Sequence, residues 1–118
     1  LLIADVNFPT QTVGENAHIV RMDGHGVCEI LEAVLQLFPL DCYVDSPVSI
    51  MEKVPGDTVE TPIWDEFRKI IAKYDSRKEV IAGVERFAFY EKAKDSYLII
   101  ATSEKALYGN IMLQKGVV

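Results

Sequence analysis

Val27-Cys28-Glu29-Ile30-Leu31-Glu32-Ala33-Val34-Leu35-Gln36-Leu37-Phe38 decides the reading of the chain. Val27, Ile30, Leu31, Val34, Leu35 and Phe38 recur at the i, i+3, i+4, i+7, i+8 and i+11 spacing of one helix face, and Pro39 ends the run. Upstream, His18-Ile19-Val20-Arg21-Met22 alternates in the manner of a short strand and is closed by Asp23-Gly24-His25-Gly26. Further upstream, Leu1 to Asp5 reads as a buried strand that ends in the turn-prone Asp5-Val6-Asn7-Phe8-Pro9, with Thr10 to Asn16 as a polar loop. Leu1-Leu2-Ile3-Ala4 opens in mid-strand, with no turn, cap or initiator Met, which raises the expectation of a preceding segment.

Downstream the same alternation continues. Val44 to Val54 holds a strand around Val48-Ser49-Ile50-Met51, followed by the turn Pro55-Gly56-Asp57. Thr61-Pro62 is an N-cap and first-turn signal, and Ile63, Phe67, Ile70, Ile71 and Tyr74 form a second apolar stripe. After a polar connector, Asp75 to Lys78, the pattern gives a strand over Val80 to Val84, a short helix over Phe87 to Lys94 and a strand over Tyr97 to Thr102. The loop Ser103 to Gly109 then leads to a last strand, Asn110 to Gln114. Strands alternating with helices indicate a single layered α/β domain over residues 1–118, with a central, largely parallel sheet flanked by helices.

Composition narrows the function. Eighteen Asp+Glu against 12 Lys+Arg give a net charge of −6 over 118 residues, with no basic cluster, which argues against nucleic acid as a partner. Cys28 and Cys42 form no C-x-x-C, and only His18 and His25 could join them, so neither a disulfide framework nor a metal site is expected, and a reducing compartment is the simplest setting. No apolar run approaches the roughly 20 residues of a membrane span, so no membrane partner is expected.

Three positions carry polar chemistry at loop mouths. Asp5 lies where a strand delivers its end to a loop, a usual ligand position in α/β sheets, but Asp5-Val6-Asn7 is equally good Asx-turn chemistry. Arg86 offers a fork of donors, although Glu85 beside it makes a surface ion pair the default explanation. Tyr108-Gly109-Asn110 combines a phenol and a carboxamide at a glycine, and is also good turn chemistry. Gly24-His25-Gly26 is far more often a turn than a phosphate cradle, and neither histidine has a visible metal or triad partner. Pattern alone leaves these alternatives open.

Five segments in register carry a resemblance over essentially the whole chain: Ala4-Asp5-Val6-Asn7-Phe8-Pro9, Val20-Arg21-Met22-Asp23-Gly24, Phe38-Pro39-Leu40-Asp41-Cys42-Tyr43-Val44, Glu85-Arg86-Phe87-Ala88-Phe89-Tyr90-Glu91 and Tyr108-Gly109-Asn110-Ile111-Met112-Leu113-Gln114-Lys115-Gly116-Val117. Together they resemble the L-fucose mutarotase family, which is related to D-ribose pyranase. Arg86 with the following Phe-Ala-Phe-Tyr-Glu resembles the fucose branch, the ribose branch typically having His there.

The resemblance implies a ribose-pyranase/fucose-mutarotase-like fold and a cofactor-free isomerase that interconverts the α and β anomers of L-fucose. It also implies a cytoplasmic protein that self-associates into a ring, commonly a homodecamer of two pentamers. Family sugar-binding positions fall on Asp5, Arg86, Tyr108, Gly109 and Asn110, with Tyr108 as a catalytic proton carrier. The family's proton-donating His stands in a Met-Gly-His-Gly-Asp-like motif before the first strand. That motif lies upstream of residue 1, so the N-terminal helix and His are expected to be absent from this chain, and His25 does not take over the role. Tyr90 and Trp64 are candidate aromatic walls, Trp64 being better explained by core packing. The alternatives are a D-ribose pyranase-type ring isomerase and a non-catalytic, ring-forming sugar-binding protein.

Overall fold

Strand residues project alternately to the two faces of a sheet, so Leu2 and Ala4 share one face and Ile3 takes the other. Both faces are apolar here, and both are covered. A computed structural model, describing residues 1–117, runs β1 (Leu2–Ala4), α1 (Thr10–Val13), β2 (His18–Met22), α2 (Val27–Leu35), β3 (Val48–Met51), α3 (Pro62–Ala72), β4 (Ile81–Val84), α4 (Arg86–Ala93), β5 (Leu98–Thr102) and β6 (Ile111–Leu113). The strands form one sheet in the order β2-β5-β1-β6-β3-β4. Every neighbouring pair is parallel except those of β6, which is antiparallel to both β1 and β3. The expected layered α/β domain with a largely parallel sheet is therefore the observed one.

Ile3, Ile50, Ile100 and Ile111 pack beneath α2 and α3 on one face. Leu2, Ala4, Ile99 and Met112 pack against Val13, Phe89 and Ala93 of α1 and α4 on the other. Helix α2 buries Val27, Ile30, Leu31 and Leu35, the stripe read from sequence, but it stops at Leu35, short of Phe38. Pro39 pushes the residue before it out of helical geometry, and the Leu37 N–H closes the end with a bond to Val34 O at 3.0 Å. Helix α3 starts at Pro62 and buries Ile63, Phe67 and Ile71, though the Thr61 side chain makes no capping bond.

The segment expected as loop is partly helical, and the polar connector is tied down by side-chain bonds. Thr10 to Asn16, expected to be loop, opens with the single helical turn α1, held by N–H bonds from Val13 and Gly14 to Pro9 O and Thr10 O at 3.0 and 2.8 Å. Only Val13 is buried in it, so no apolar period marks the turn in the sequence. Gly14 follows because a Cβ there would lie 2.7 Å from Ile99 Cδ1. In the polar connector, Arg77 donates to Val44 O and Asp41 O, each at 3.0 Å, and to Asp75 at 2.7 Å, pinning the segment that leads into β3. Its guanidinium holds the Asp75 carboxyl below the usual aspartate range.

Phe67 is fully buried between α3 and the sheet, whereas Phe87 is 61% exposed. Phe67→Ala is expected to cost about 3–5 kcal/mol in denaturant unfolding, and Phe87→Ala within about 0.5 kcal/mol. Equal costs would contradict the core assignment.

Candidate active site

The reversed direction of β6 brings its beginning to the edge where its parallel neighbours end. Asp5 follows β1, Val54 lies just beyond β3, Arg86 opens α4 after β4, and Tyr108-Gly109-Asn110 leads into β6. These segments enclose a cleft of about 280 Å³ lined by Asp5, Phe8, Asp57, Arg86, Tyr90, Tyr108 and Asn110, among others. Sites for drug-sized ligands span about 300–1,000 Å³, so this one suits a smaller, polar molecule. Four of the five site residues expected from sequence meet here. Gly109 does not line the cleft and instead stands behind it.

Asp5 is the hub. Only 6% exposed, its carboxylate accepts the Asn7 N–H at 3.0 Å and the Gly109 N–H at 3.3 Å, while its own N–H donates to Asn110 Oδ1 at 2.7 Å. Asp5 makes the Asx turn and also lines the cleft. Burial pushes its pKa above the ordinary aspartate range, the Asn7 and Gly109 N–H groups pull it back down, and the Glu104 charge pushes it up again. Because a backbone N–H requires an oxygen acceptor, the Asn110 carboxamide is oriented, with its oxygen toward the Asp5 N–H and its NH2 group not engaged by Asp5. A Cβ on Gly109 would stand 3.0 Å from Ala106 O, so glycine permits the close approach that brings its N–H to Asp5.

Tyr108 adopts φ of +56°, a left-handed conformation uncommon for a non-glycine residue. Three contacts hold it there. Its carbonyl accepts Trp64 Nε1–H at 2.9 Å, and its hydroxyl accepts the Val54 N–H at 3.2 Å and donates to Asp57 Oδ2 at 2.5 Å. The bond to Asp57 raises the phenol pKa above its usual value and lowers that of the Asp57 carboxyl. Trp64 is thus no wall of the cleft; partly buried against the α2–α3 core, it anchors the Tyr108 backbone. Asp57 escaped the sequence reading because Pro55-Gly56-Asp57 looks like a turn, and it is one, with Asp57 accepting the Val59 N–H at 3.0 Å. No spacing rule links positions 57 and 108.

Arg86 does not pair with Glu85. The Glu85 side chain instead caps α4 by accepting the Ala88 N–H at 3.0 Å. Among the described residues the Arg86 guanidinium is engaged only by the Phe87 ring, 4.5 Å from its centroid, and its donors remain free at the cleft. Tyr90 lines the cleft and packs edge-to-face with Phe8 at 5.6 Å. His25 has a partner that the sequence did not reveal, Glu29, at 2.7 Å one helical turn along α2. His18 is exposed on β2 and tilts over the Tyr97 ring at 4.8 Å.

A larger groove of about 640 Å³ beside α2 is lined mainly by apolar residues such as Val34, Leu37, Phe38 and Leu98. It lacks the convergent polar groups that orient a small polar ligand. Among the described residues, no helix is long and apolar enough to cross a membrane.

A three-layer α/β domain with a polar, partly aromatic cleft at one strand edge defines a protein that handles a small polar molecule. The chain belongs to the RbsD / FucU transport protein family, whose model matches residues 1–118. It is similar to the fucose mutarotase of Homo sapiens, 44% identical over 121 residues that cover 99% of this chain and 78% of that protein. It is also similar to the crystal structure of FucU from Bifidobacterium longum, with a TM-score of 0.97 and 58% identity over 99% of this chain and 82% of that one. The crystal structure of the Streptococcus pneumoniae fucose mutarotase in complex with L-fucose matches with a TM-score of 0.89 and 39% identity, covering 99% of this chain and 81% of that one.

The raised pKa of Asp5 has a definite sign in stability. The folded state keeps this proton over a pH window in which the unfolded chain has released it, so the group's contribution declines as pH rises from 3.8 through the folded value. Asn at this position does not titrate. The stability of the native protein relative to Asp5→Asn, from urea midpoints, is therefore expected to shrink between acid and neutral pH; growth over that range contradicts the assignment.

Proposed function

We propose that the protein is an L-fucose mutarotase, an isomerase that exchanges the α and β anomers of L-fucopyranose through acid–base ring opening and closure. The observation that carries this reading is the convergence of Asp5, Arg86, Tyr108 and Asn110 on one cleft. The likeness to relatives named fucose mutarotase supports the same activity, and one of them was crystallised with L-fucose. Arg86, rather than His, favours the fucose reading over a pyranase acting on ribose.

Mutarotation moves two protons. The anomeric hydroxyl loses one as C1–O5 breaks, and the ring oxygen gains one; the open aldehyde then turns and recloses. Positioned acids and bases contribute about 10²- to 10⁴-fold, an adequate scale for a reaction that already proceeds in water. In this reading Tyr108 carries the proton of the anomeric hydroxyl. The transfer to the ring oxygen falls to the histidine that the family resemblance implies, or to water in its place. Arg86 donates to adjacent sugar oxygens, and Asn110 donates through its NH2 group and accepts with the lone pair that the Asp5 N–H leaves on its oxygen. Asp5 accepts from a sugar hydroxyl with the lone pairs left by Asn7 and Gly109, while Gly109 contributes by holding Asp5 in place. Tyr90 and Phe8 offer ring edges and faces to the apolar side of the pyranose.

The reading extends to self-association as a ring, a homodecamer, and to a cytoplasmic location. Leu37 and Tyr97, 90% and 78% exposed, suit a subunit contact, and two free cysteines suit a reducing compartment. Sedimentation equilibrium tests the assembly, a monomer mass contradicting it, and cell fractionation tests the location, recovery outside the cytosol contradicting that.

Proton exchange NMR of the L-fucose anomers tests the activity. The native protein is expected to accelerate exchange, and Tyr108→Phe to slow it by about 10²-fold with sugar affinity within about 3-fold. Ring-size exchange of D-ribose without effect on L-fucose would establish a pyranase instead, and fucose binding without acceleration a non-catalytic sugar-binding protein.

A further inference from the structure

Tyr108 is the only phenol in the cleft whose hydroxyl has both its proton and one lone pair committed to protein groups among the described residues. A phenol has one proton to give. Here that proton points at Asp57 Oδ2, 2.5 Å away, while the Val54 N–H supplies a donor from the main chain at 3.2 Å. What the oxygen presents to the cleft is its remaining lone pair.

We propose that Asp57 is a positioning residue that sets the direction of proton transfer at Tyr108, turning its phenol into an acceptor for the anomeric proton. This rests on the mutarotase reading of the cleft. When the anomeric O1–H transfers its proton to the Tyr108 oxygen, the phenol releases its own proton to the Asp57 carboxylate. The O1–H electron pair becomes the C1=O1 π bond, and the C1–O5 pair moves to O5, which takes a proton from water. Asp57 then returns its proton to the resulting hydroxide, and reclosure runs the same steps backwards. No charge is left on the phenol at any point in the exchange.

Other features of the cleft agree. Asp57 is anchored independently of Tyr108 by the Val59 N–H, so its carboxylate has a fixed place when substrate arrives. The mutual shifts of the two groups keep Asp57 ionised and Tyr108 protonated across the neutral range, the state from which the relay starts. The left-handed backbone falls at Tyr108 itself, the residue whose hydroxyl bonds Asp57.

Asp57→Asn keeps the side-chain oxygen that accepts the Val59 N–H but can no longer take up a proton. Anomeric exchange of L-fucose by this variant is expected to show kcat lowered by about 10- to 100-fold with KM within about 3-fold. Asp57→Asn/Tyr108→Phe is expected to be no slower than Tyr108→Phe alone, because the two groups act as one unit. Ultraviolet titration supplies a readout apart from activity: the tyrosine transition missing from Tyr108→Phe should move to lower pH in Asp57→Asn, where no carboxylate charge opposes its ionisation. Native kcat in Asp57→Asn, or losses that simply multiply in the double variant, overturns the proposal while leaving the mutarotase reading intact. A native protein that accelerates no anomeric exchange overturns both.

Discussion

One strand that runs against its neighbours organises the functional end of the molecule. β6 sits between β1 and β3 and is antiparallel to each, so the residues that lead into it emerge where those strands finish. At about 3.4 Å per residue, a three-residue strand in the parallel sense would carry Tyr108 and Asn110 about 10 Å away, to the opposite edge. The reversal instead lets Asn110 accept the Asp5 N–H and lets Gly109 donate to the Asp5 carboxylate. These two bonds join positions more than 100 residues apart in sequence and fix the floor of the cleft.

The cleft is tied to the core through Trp64. Helix α3 buries Ile63 and Phe67 beneath the sheet, and Trp64 beside Ile63 sends its indole N–H to the Tyr108 carbonyl. A residue held in an unfavourable backbone region costs about 1–3 kcal/mol and persists only when its surroundings over-determine it. Trp64, Val54 and Asp57 supply that determination from three different segments. Burial of α3 therefore contributes to the site as well as to stability, since it sets the position of the indole. On the opposite wall, Phe8 and Tyr90 pack edge-to-face above the α1–α4 layer, so both helical layers of the fold reach the cleft.

What the residues disclosed on their own follows from periodicity. The α2 stripe and the continuous apolar strands were legible because burial on one helix face, or on both sheet faces, repeats at a fixed spacing. Helix α1 was not, because one turn with one buried residue has no period. The direction of β6 was also hidden: a short apolar strand reads the same way in either sense, and only pairing distinguishes them. Asp5, Arg86, Tyr108 and Asn110 stood out as polar residues at loop mouths, and the family resemblance drew them together before the geometry did. Asp57 and the cap at Glu85 remained out of sight for a different reason. Each is a polar residue in a turn or at a helix start, and its partner is chosen by tertiary contact or by backbone geometry that composition does not record.

The central claim is that this strand-edge cleft receives the sugar. A crystal structure of the protein with L-fucose tests it most directly. The pyranose is expected between Asp5, Arg86, Tyr108 and Asn110, with the anomeric oxygen within hydrogen-bond reach of the Tyr108 hydroxyl and the Asn110 NH2 donating to the sugar. Fucose seated instead in the apolar groove beside α2, with the cleft empty, would contradict it.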